Sequence, residues 1–443
     1  GEVTVDFYLI NEKNVRGNHQ LKISVTDSQG KVMEVGTYET EAAGGEVYGQ
    51  LLVKDVKIPV PTAGGLCRIE AKLCKENSVV TTGYDDILSV NLASNMLDGK
   101  GAVWEDGSAL QNFLKGKTKE AVAAYEDNLG KLDWIMVARP PRKDQLTMVP
   151  MEALRSADGK PGLDVVYYED MEFQKEVYHE VAKVVNLSAI EGATPSPFVY
   201  MLDGYGIKWS GKVLPSVSGE YTIIPQSNDR SMIEVFVNGK KIYEITRKKE
   251  HLGDGKVYLE GGKSADIEIR FRHPRSNARC RLDWAVPNDK MPDAQRLMER
   301  AVNDGTKIFI IQSADEWSEF IAANSKAVFK DKFFVGTNWL GGVMFNKPHD
   351  IFKELPVGNA LNWPYQALIH TGVERMGLVM EGEELLVGAY HTYPMAIGTA
   401  MGIVPMGKGS VLFSTLDIYG NIINDSAAGL VAKKLIFNMI DFK

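Results

Sequence analysis

Cysteine is nearly absent: the 443 residues contain three, Cys67, Cys74 and Cys280. So sparse and odd a set supplies neither a disulfide framework nor a zinc-type cluster. Cys67 and Cys74 are expected on or near adjacent strands, either bridged or as buried free thiols. Histidine is also scarce, and the seven present include no pair at metal-ligand spacing on one helix face. Basic excess is missing too. A net charge of −8 argues against nucleic-acid partners, which need a cationic surface to displace counterions. No apolar run is long enough to span a bilayer, and no signal peptide is present. The chain opens on Gly1 rather than Met, as a processed or excised piece does. What remains is a globular composition, 44% hydrophobic and 24% charged, over about three domains' worth of chain.

Residues 162–287 read as a self-contained β-sandwich set into another domain. At its centre, SMIEVFV and KIYEI are β-rich runs joined by Asn238-Gly239, a dipeptide suited to the positive φ values of a type I′ hairpin turn. Residues 205–212 and 220–224 alternate as strands do. In residues 265–273, Ile267, Ile269 and Phe271 share one face; in 278–286, Cys280, Leu282 and Trp284 do so.

The succession GLDVVYYEDMEF, YGIKWSGKVLPSVSGEYTIIPQSNDRSMIEVFVNGKKI, GKVYLEGGKSADIEIRFRH and ARCRLDW resembles the protective-antigen-type domain, a module inserted in or appended to bacterial glycosidases, toxins and adhesins. The resemblance implies carbohydrate binding. In the adhesin branch, calcium held by an Asp-Asp pair binds the sugar. The matching residues here are Asn228, Asp229 and Arg230, so one carboxylate is lost and at most a weak calcium site at Asp229 is implied. No other cofactor is expected.

Residues 1–93 are β-patterned (VTVDFYLIN, HQLKISVTD, LLVKDVKIPV, LCRIEAKLC, ILSVNL) and read as an immunoglobulin-like sandwich. The stretch VDFYLINEKNVRGNHQLKISVTDSQGKV resembles the sandwich that follows the catalytic barrel in family 2 glycoside hydrolases. The catalytic acid of those enzymes lies in an Asn-Glu dipeptide. Asn11-Glu12, however, ends a sandwich strand and has no second carboxylate placed beside it, so no catalytic residue is assigned.

Residues 94–161 and 289–443 read as one α/β domain interrupted by the central sandwich. LDWIMVA (132–138) and TKIFIIQ (306–312) have the continuous apolar character of buried parallel strands. Helices are expected over 108–114, 119–129, 292–303 (closing on Gly305), 315–323 and 426–440, and strands over 101–104, 378–380, 384–390 and 409–414. FKELPVGNALNWPYQALI, VGAYHTYPMAIGTAMGIVPMGKGSVLFSTLDI and AAGLVAKKLIFNMIDF resemble the flavodoxin-like, glutamine-amidotransferase-like domain at the far end of some β-galactosidase-type enzymes. That chemistry needs a nucleophilic cysteine, and residues 93–162 and 289–443 contain none. Asn338, Trp339, His391 and Asp417, with His370, Asn362 and Trp363, are candidates to line a polar pocket; the alternative is interior groups satisfied by hydrogen bonds. The glycines 341–342, 398, 402, 407 and 409 lack the context of a phosphate loop and read as turns or close backbone approaches. Arg270, Arg272, Arg275, Arg279 and Arg281 form either a strip for an anionic sugar or a set of ion pairs with neighbours such as Glu268 and Asp283. Trp209 and Trp284 share strand faces with apolar residues and read as core.

The expectation is therefore a non-catalytic accessory region of a secreted or periplasmic bacterial glycoside hydrolase acting on β-linked glycans. Its partners would be glycan, the parent's catalytic barrel and, in an oligomer, its own copies. A structural or oligomerising module, a surface-glycan adhesin, and a hydrolase using His391 and Asp417 remain the other readings.

Overall fold

A computed structural model of the protein describes residues 1–76, 78–92, 96–142, 146–188, 204–227, 230–275, 278–287, 292–335, 342–358, 360–361, 363–370, 376–392, 395–424 and 427–442. The chain is β-rich, with several separate sheets. Near the N-terminus, Glu2–Ile10 pairs with Gly49–Pro59, and a four-stranded antiparallel sheet runs in the order Val32–Ala43, Arg16–Thr26, Gly65–Lys75, Ser78–Ser89. Alternation turns Leu21, Ile23, Val25, Ile69 and Leu73 onto Val56 and Ile58, forming one core. Cys67 and Cys74 are buried free thiols. They lie on the same strand, Gly65–Lys75, not on adjacent ones. Seven residues of strand separate them by about 23 Å, whereas a disulfide needs Cα atoms within about 7 Å, so the bridged alternative is excluded.

The central stretch forms two sheets around a single core. One contains Gly219–Ser227 between Arg279–Ala285 and Lys256–Leu259; the other runs Glu176–Ala182, Leu163–Tyr168, Tyr205–Val213, Ala265–His273, Met232–Val237, Lys240–Ile245, His251–Leu252. The hairpin turns at Asn238 and Gly239 with φ of 49° and 76°, the doubly positive geometry read from the dipeptide. Trp209 and Trp284 are 3% and 2% exposed. Trp209 meets Phe271 edge-on with ring centroids 6.2 Å apart, and Trp284 packs on Tyr221 at 5.2 Å, so both serve the core.

A ten-stranded mixed sheet forms the remainder. Gly409–Ser414, Lys307–Ile310, Trp134–Ala138, Gly101–Glu105 and Ala123–Ala124 are parallel neighbours in that order. Every residue of Trp134–Ala138 is buried, because both faces are covered. Helices Ala294–Asp304 and Ala314–Ala323 pack on one side and Ala427–Asp441 on the other. Gly305 closes the first of these helices at φ 80°, as a C-terminal glycine does.

Two features depart from expectation. Residues 119–129 are not a helix. Ala123–Ala124 adds to the sheet edge, Tyr125 N–H donates to the Val103 carbonyl at 2.8 Å, and the Tyr125 ring rests 5.7 Å from that of Trp104. An available edge outweighs a modest helical propensity. The other half of the sheet is antiparallel and includes Val328–Phe334, Val343–Asn346 and the long strand Met395–Met406. In this last strand a Cβ on Gly398 would lie 2.7 Å from the Leu378 carbonyl oxygen; the glycine permits the close approach but removes the alternation by which a strand is recognised.

The sandwich and the mixed sheet are tied together. Thr147–Met148 pairs with Asp283 and Trp284, and Leu154–Arg155 pairs with Tyr205–Val213, so these residues, assigned from sequence to the α/β portion, hydrogen-bond into the sandwich sheets. At the end of Trp134–Ala138, Arg139 bonds Asp106 at 2.5 Å, with side chains 7% and 12% exposed, and Asp106 also accepts from the Thr147 hydroxyl at 2.7 Å. Elsewhere Lys434, 5% exposed, bonds Glu354 at 2.6 Å and the Asn91 carbonyl at 3.3 Å, linking the last helix to the end of the N-terminal unit. Removing one member of a buried pair strands the other's charge. Asp106→Asn should therefore cost about 3–5 kcal/mol, while Lys263→Ala, in an exposed pair with Glu260, should change stability by under about 0.5 kcal/mol. Denaturant midpoints of the two variants check the contrast.

Candidate functional site

At one end of the central sandwich, loops from four places in the sequence enclose a cleft of about 600 Å³. The turn after Leu163–Tyr168 supplies Met171 and Glu172. Arg230 and Met232 come from the start of one hairpin strand and Thr246, Arg247 and Lys249 from the end of the other; Arg272 comes from the last residues of Ala265–His273. Each wall is set by local chemistry. Asp170 accepts the backbone N–H groups of Glu172, Gln174 and Lys175 at 2.8, 3.0 and 2.6 Å, folding the 170–175 turn around one carboxylate. Beneath it, Arg272 donates to the Met171 carbonyl at 3.1 Å and to Glu234 at 2.9 Å, and its guanidinium lies 4.7 Å over the Phe173 ring. Phe173 has a φ of 60°. The ring occupies the space a side chain on Gly206 would need, since a Cβ there would come within 2.6 Å of it.

Burial raises the Glu234 carboxyl, but the hydrogen bonds from Arg272 and Lys241 outweigh it and hold the group below the usual carboxylate range. Ser231 lines the cleft and meets the fully buried His273 behind it at 3.1 Å. The rim is cationic and exposed at Arg230 and Arg247. An oxygen-rich ligand suits such a rim, because guanidinium groups bind hydroxyl and carboxylate oxygens with fixed, planar donors.

Of the residues singled out from sequence, Arg230 lies on this rim, while Asn228 and Asp229 fall outside the described residues. Among those described, no group of three His, Cys, Asp or Glu could hold a metal ion. The five arginines do not form a free strip. Arg270 pairs with Glu268 at 2.5 Å and Arg281 with Asp283 at 2.8 Å, each two residues along its own strand; Arg272 holds Glu234; Arg279 stacks 5.0 Å over Phe334 of the mixed sheet; Arg275 is exposed in the loop that follows. In the mixed sheet, Asn338, Trp339 and Asn362 fall outside the described residues. His391 lies near the tip of the hairpin Glu384–Thr392/Met395–Met406, opposite Ala396. Asp417 caps the short helix Ile418–Asn421 by accepting from Gly420 N–H at 3.0 Å, and lines a different cavity, in which His391 takes no part. Trp363 is 44% exposed. Asn11 closes a local turn through its bonds with Val15 at 2.9 and 2.8 Å, and Glu12 is exposed there. Residues 171–172 and 246–249 were not identified from sequence. The run Arg247-Lys248-Lys249, a cationic loop directly after a hairpin, was the available signal.

Residues 159–296 match the family model of the PA14 domain. A curated relative, the anti-sigma-I factor RsgI3 of Acetivibrio thermocellus, is 28% identical over 127 residues; the match spans 28% of this chain and 19% of that protein. Among solved structures, a β-glucosidase from Kluyveromyces marxianus matches with TM-score 0.34 and 12% identity, covering 50% of this chain and 29% of the enzyme. A PA14 sugar-binding domain from an RTX adhesin matches with TM-score 0.23 and 13% identity, covering 28% of this chain and 88% of the domain. At these scores no site transfers from either structure. The central sandwich thus matches the PA14 domain model over residues 159–296.

The Glu234 strut makes the cleft wall pH-dependent. Because its folded pKa lies below the ordinary value of about 4.3, its stabilisation is fully present above that pH and is lost as pH falls through the folded pKa. Amide exchange in residues 170–175 should stay protected at neutral pH and open only below about pH 4, where Asp170, also held below its ordinary range by the backbone N–H groups it accepts, loses its charge as well. Glu234→Gln should open it at neutral pH, with a loss of about 1–3 kcal/mol.

Proposed function

We propose that the chain is an accessory, non-catalytic carbohydrate-binding and scaffolding region of a glycoside hydrolase acting on β-linked glycans, with the PA14 domain holding glycan in the loop-end cleft. The observation that carries this reading is the cleft: a PA14 sandwich with a pre-organised concave end, an arginine-bearing rim and Arg230 within it. A size of about 300–1,000 Å³ is what a small-ligand pocket requires. The parent enzyme's barrel, a secreted or periplasmic setting and assembly into oligomers belong to the same proposal. No described helix is long and apolar enough to cross a membrane. A glycan array probed with the full chain, followed by calorimetry on the best ligand, tests the binding. Arg230→Ala and Arg247→Ala should each weaken it about tenfold, or about 1.4 kcal/mol. Binding indifferent to both changes, or no binding to any glycan, would overturn the assignment and favour a purely structural module.

The same proposal covers the architecture: an immunoglobulin-like unit over residues 1–93, then a flavodoxin-like, amidotransferase-like domain split by the sandwich. Parallel pairing of Trp134–Ala138 with Lys307–Ile310 supports the split. The pairing of residues 147–155 into the sandwich sheets favours an insertion that begins before residue 147 rather than at 162. Replacing residues 147–287 by a short Gly/Ser linker should leave a soluble, cooperatively unfolding remainder; insoluble product would count against the split domain.

A further inference from the structure

A second cavity, of about 360 Å³, opens where the PA14 sandwich meets the mixed sheet. Lys183 and Asn186 line it from the sandwich, and Asp417, Asn421 and Asn424 from the segment after Gly409–Ser414. We propose that this seam is a binding site for a small uncharged polyol, the size of a single hexose.

The lining selects this class by elimination and by complementarity. Among the described lining residues, one lysine and one aspartate leave the wall near neutral, and the Lys183 ammonium is already directed to the Ile423 carbonyl at 2.6 Å, so these residues offer a phosphate no cluster of cations. Among the described lining residues there is one carboxylate, too little for a divalent cation, which takes six or more oxygens and more charge. No aromatic ring is among the described residues that line the space, so among them a planar base has no surface to stack on. What the cavity offers is a set of amide and carboxylate groups with fixed directions. Asn421, 2% exposed, is locked by donating to the Asp417 carbonyl at 2.8 Å and by accepting from Asn424 at 3.1 Å. Against this wall stands Asn186, whose Oδ1 is buried without a hydrogen-bond partner. A buried acceptor left unmatched is destabilising, and a ligand hydroxyl supplies the missing donor. The space greatly exceeds the roughly 30 Å³ of one water.

The seam stands apart from the loop-end cleft, since the two share no lining residue, and each reading can fail alone. The test is calorimetry and saturation-transfer NMR on the full chain with methyl β-glucopyranoside, methyl β-galactopyranoside and inorganic phosphate as probes. At least one hexoside should bind at millimolar concentration and phosphate should not. Asn186→Leu, which removes the unmatched acceptor at similar volume, should weaken hexoside binding at least tenfold, as should Asn424→Ala, while Lys263→Ala, at an exposed pair away from both cavities, leaves it unchanged. Should Asn186→Leu misfold by circular dichroism, Asn424→Ala decides. Failure of both hexosides to bind, binding of phosphate instead, or hexoside binding kept at full strength in the seam variants would overturn the proposal.

Discussion

The fold depends on one pairing made across a long detour. Trp134–Ala138 and Lys307–Ile310 are neighbours in the centre of the mixed sheet, in register Trp134 to Lys307 and Val137 to Ile310, with the whole PA14 domain between them in sequence. Closing a loop of that length costs entropy only logarithmically in its length. A folded sandwich within the loop reduces the cost further by bringing the two ends near each other. The buried Arg139–Asp106 pair and its bond to Thr147 sit where the chain leaves the sheet. Those groups fix the direction in which the chain departs, and the sandwich then packs back against the sheet through Arg279 on Phe334 and Lys183 on the Ile423 carbonyl.

That arrangement produces two concave sites of different origin. The loop-end cleft belongs to the sandwich alone, held by an arginine that braces a turn, an aromatic ring and a carboxylate at once. All of its lining residues come from within residues 171–274 of the sandwich. The seam cavity exists only because two units pack with polar rather than apolar groups facing. Its Asn421 and Asp417 belong to a segment that also anchors the C-terminal helix through Asn424 and Lys433 at 3.0 Å, so whatever fills it bears on how the units are joined.

Much of the skeleton was legible because local chemistry suffices for it. Alternation marked the sandwich strands, Asn238-Gly239 marked its hairpin, Gly305 marked a helix end, and the uninterrupted apolar runs at 134–138 and 307–310 marked central parallel strands. Each of these depends on a residue and its near neighbours, through φ preference, period or burial on both faces. Helical propensity over residues 119–129 gave way to an open sheet edge, and the glycines of Met395–Met406 hid a strand that only its partners define.

Sequence by itself determined the β-rich character, the PA14-type core and the scarcity of thiol, imidazole and basic chemistry, because composition and periodicity are properties of the chain alone. Tertiary structure decided what the polar residues do. Cys67 and Cys74 cannot meet because one strand carries both. Arg270 and Arg281 are consumed by acids two residues along their own strands, and Asp417 faces Lys183 and Asn186 across the seam, apart from His391. Side chains far apart in sequence acquire a shared function only when pairing register and domain packing bring them to one surface, and no local propensity encodes that distance.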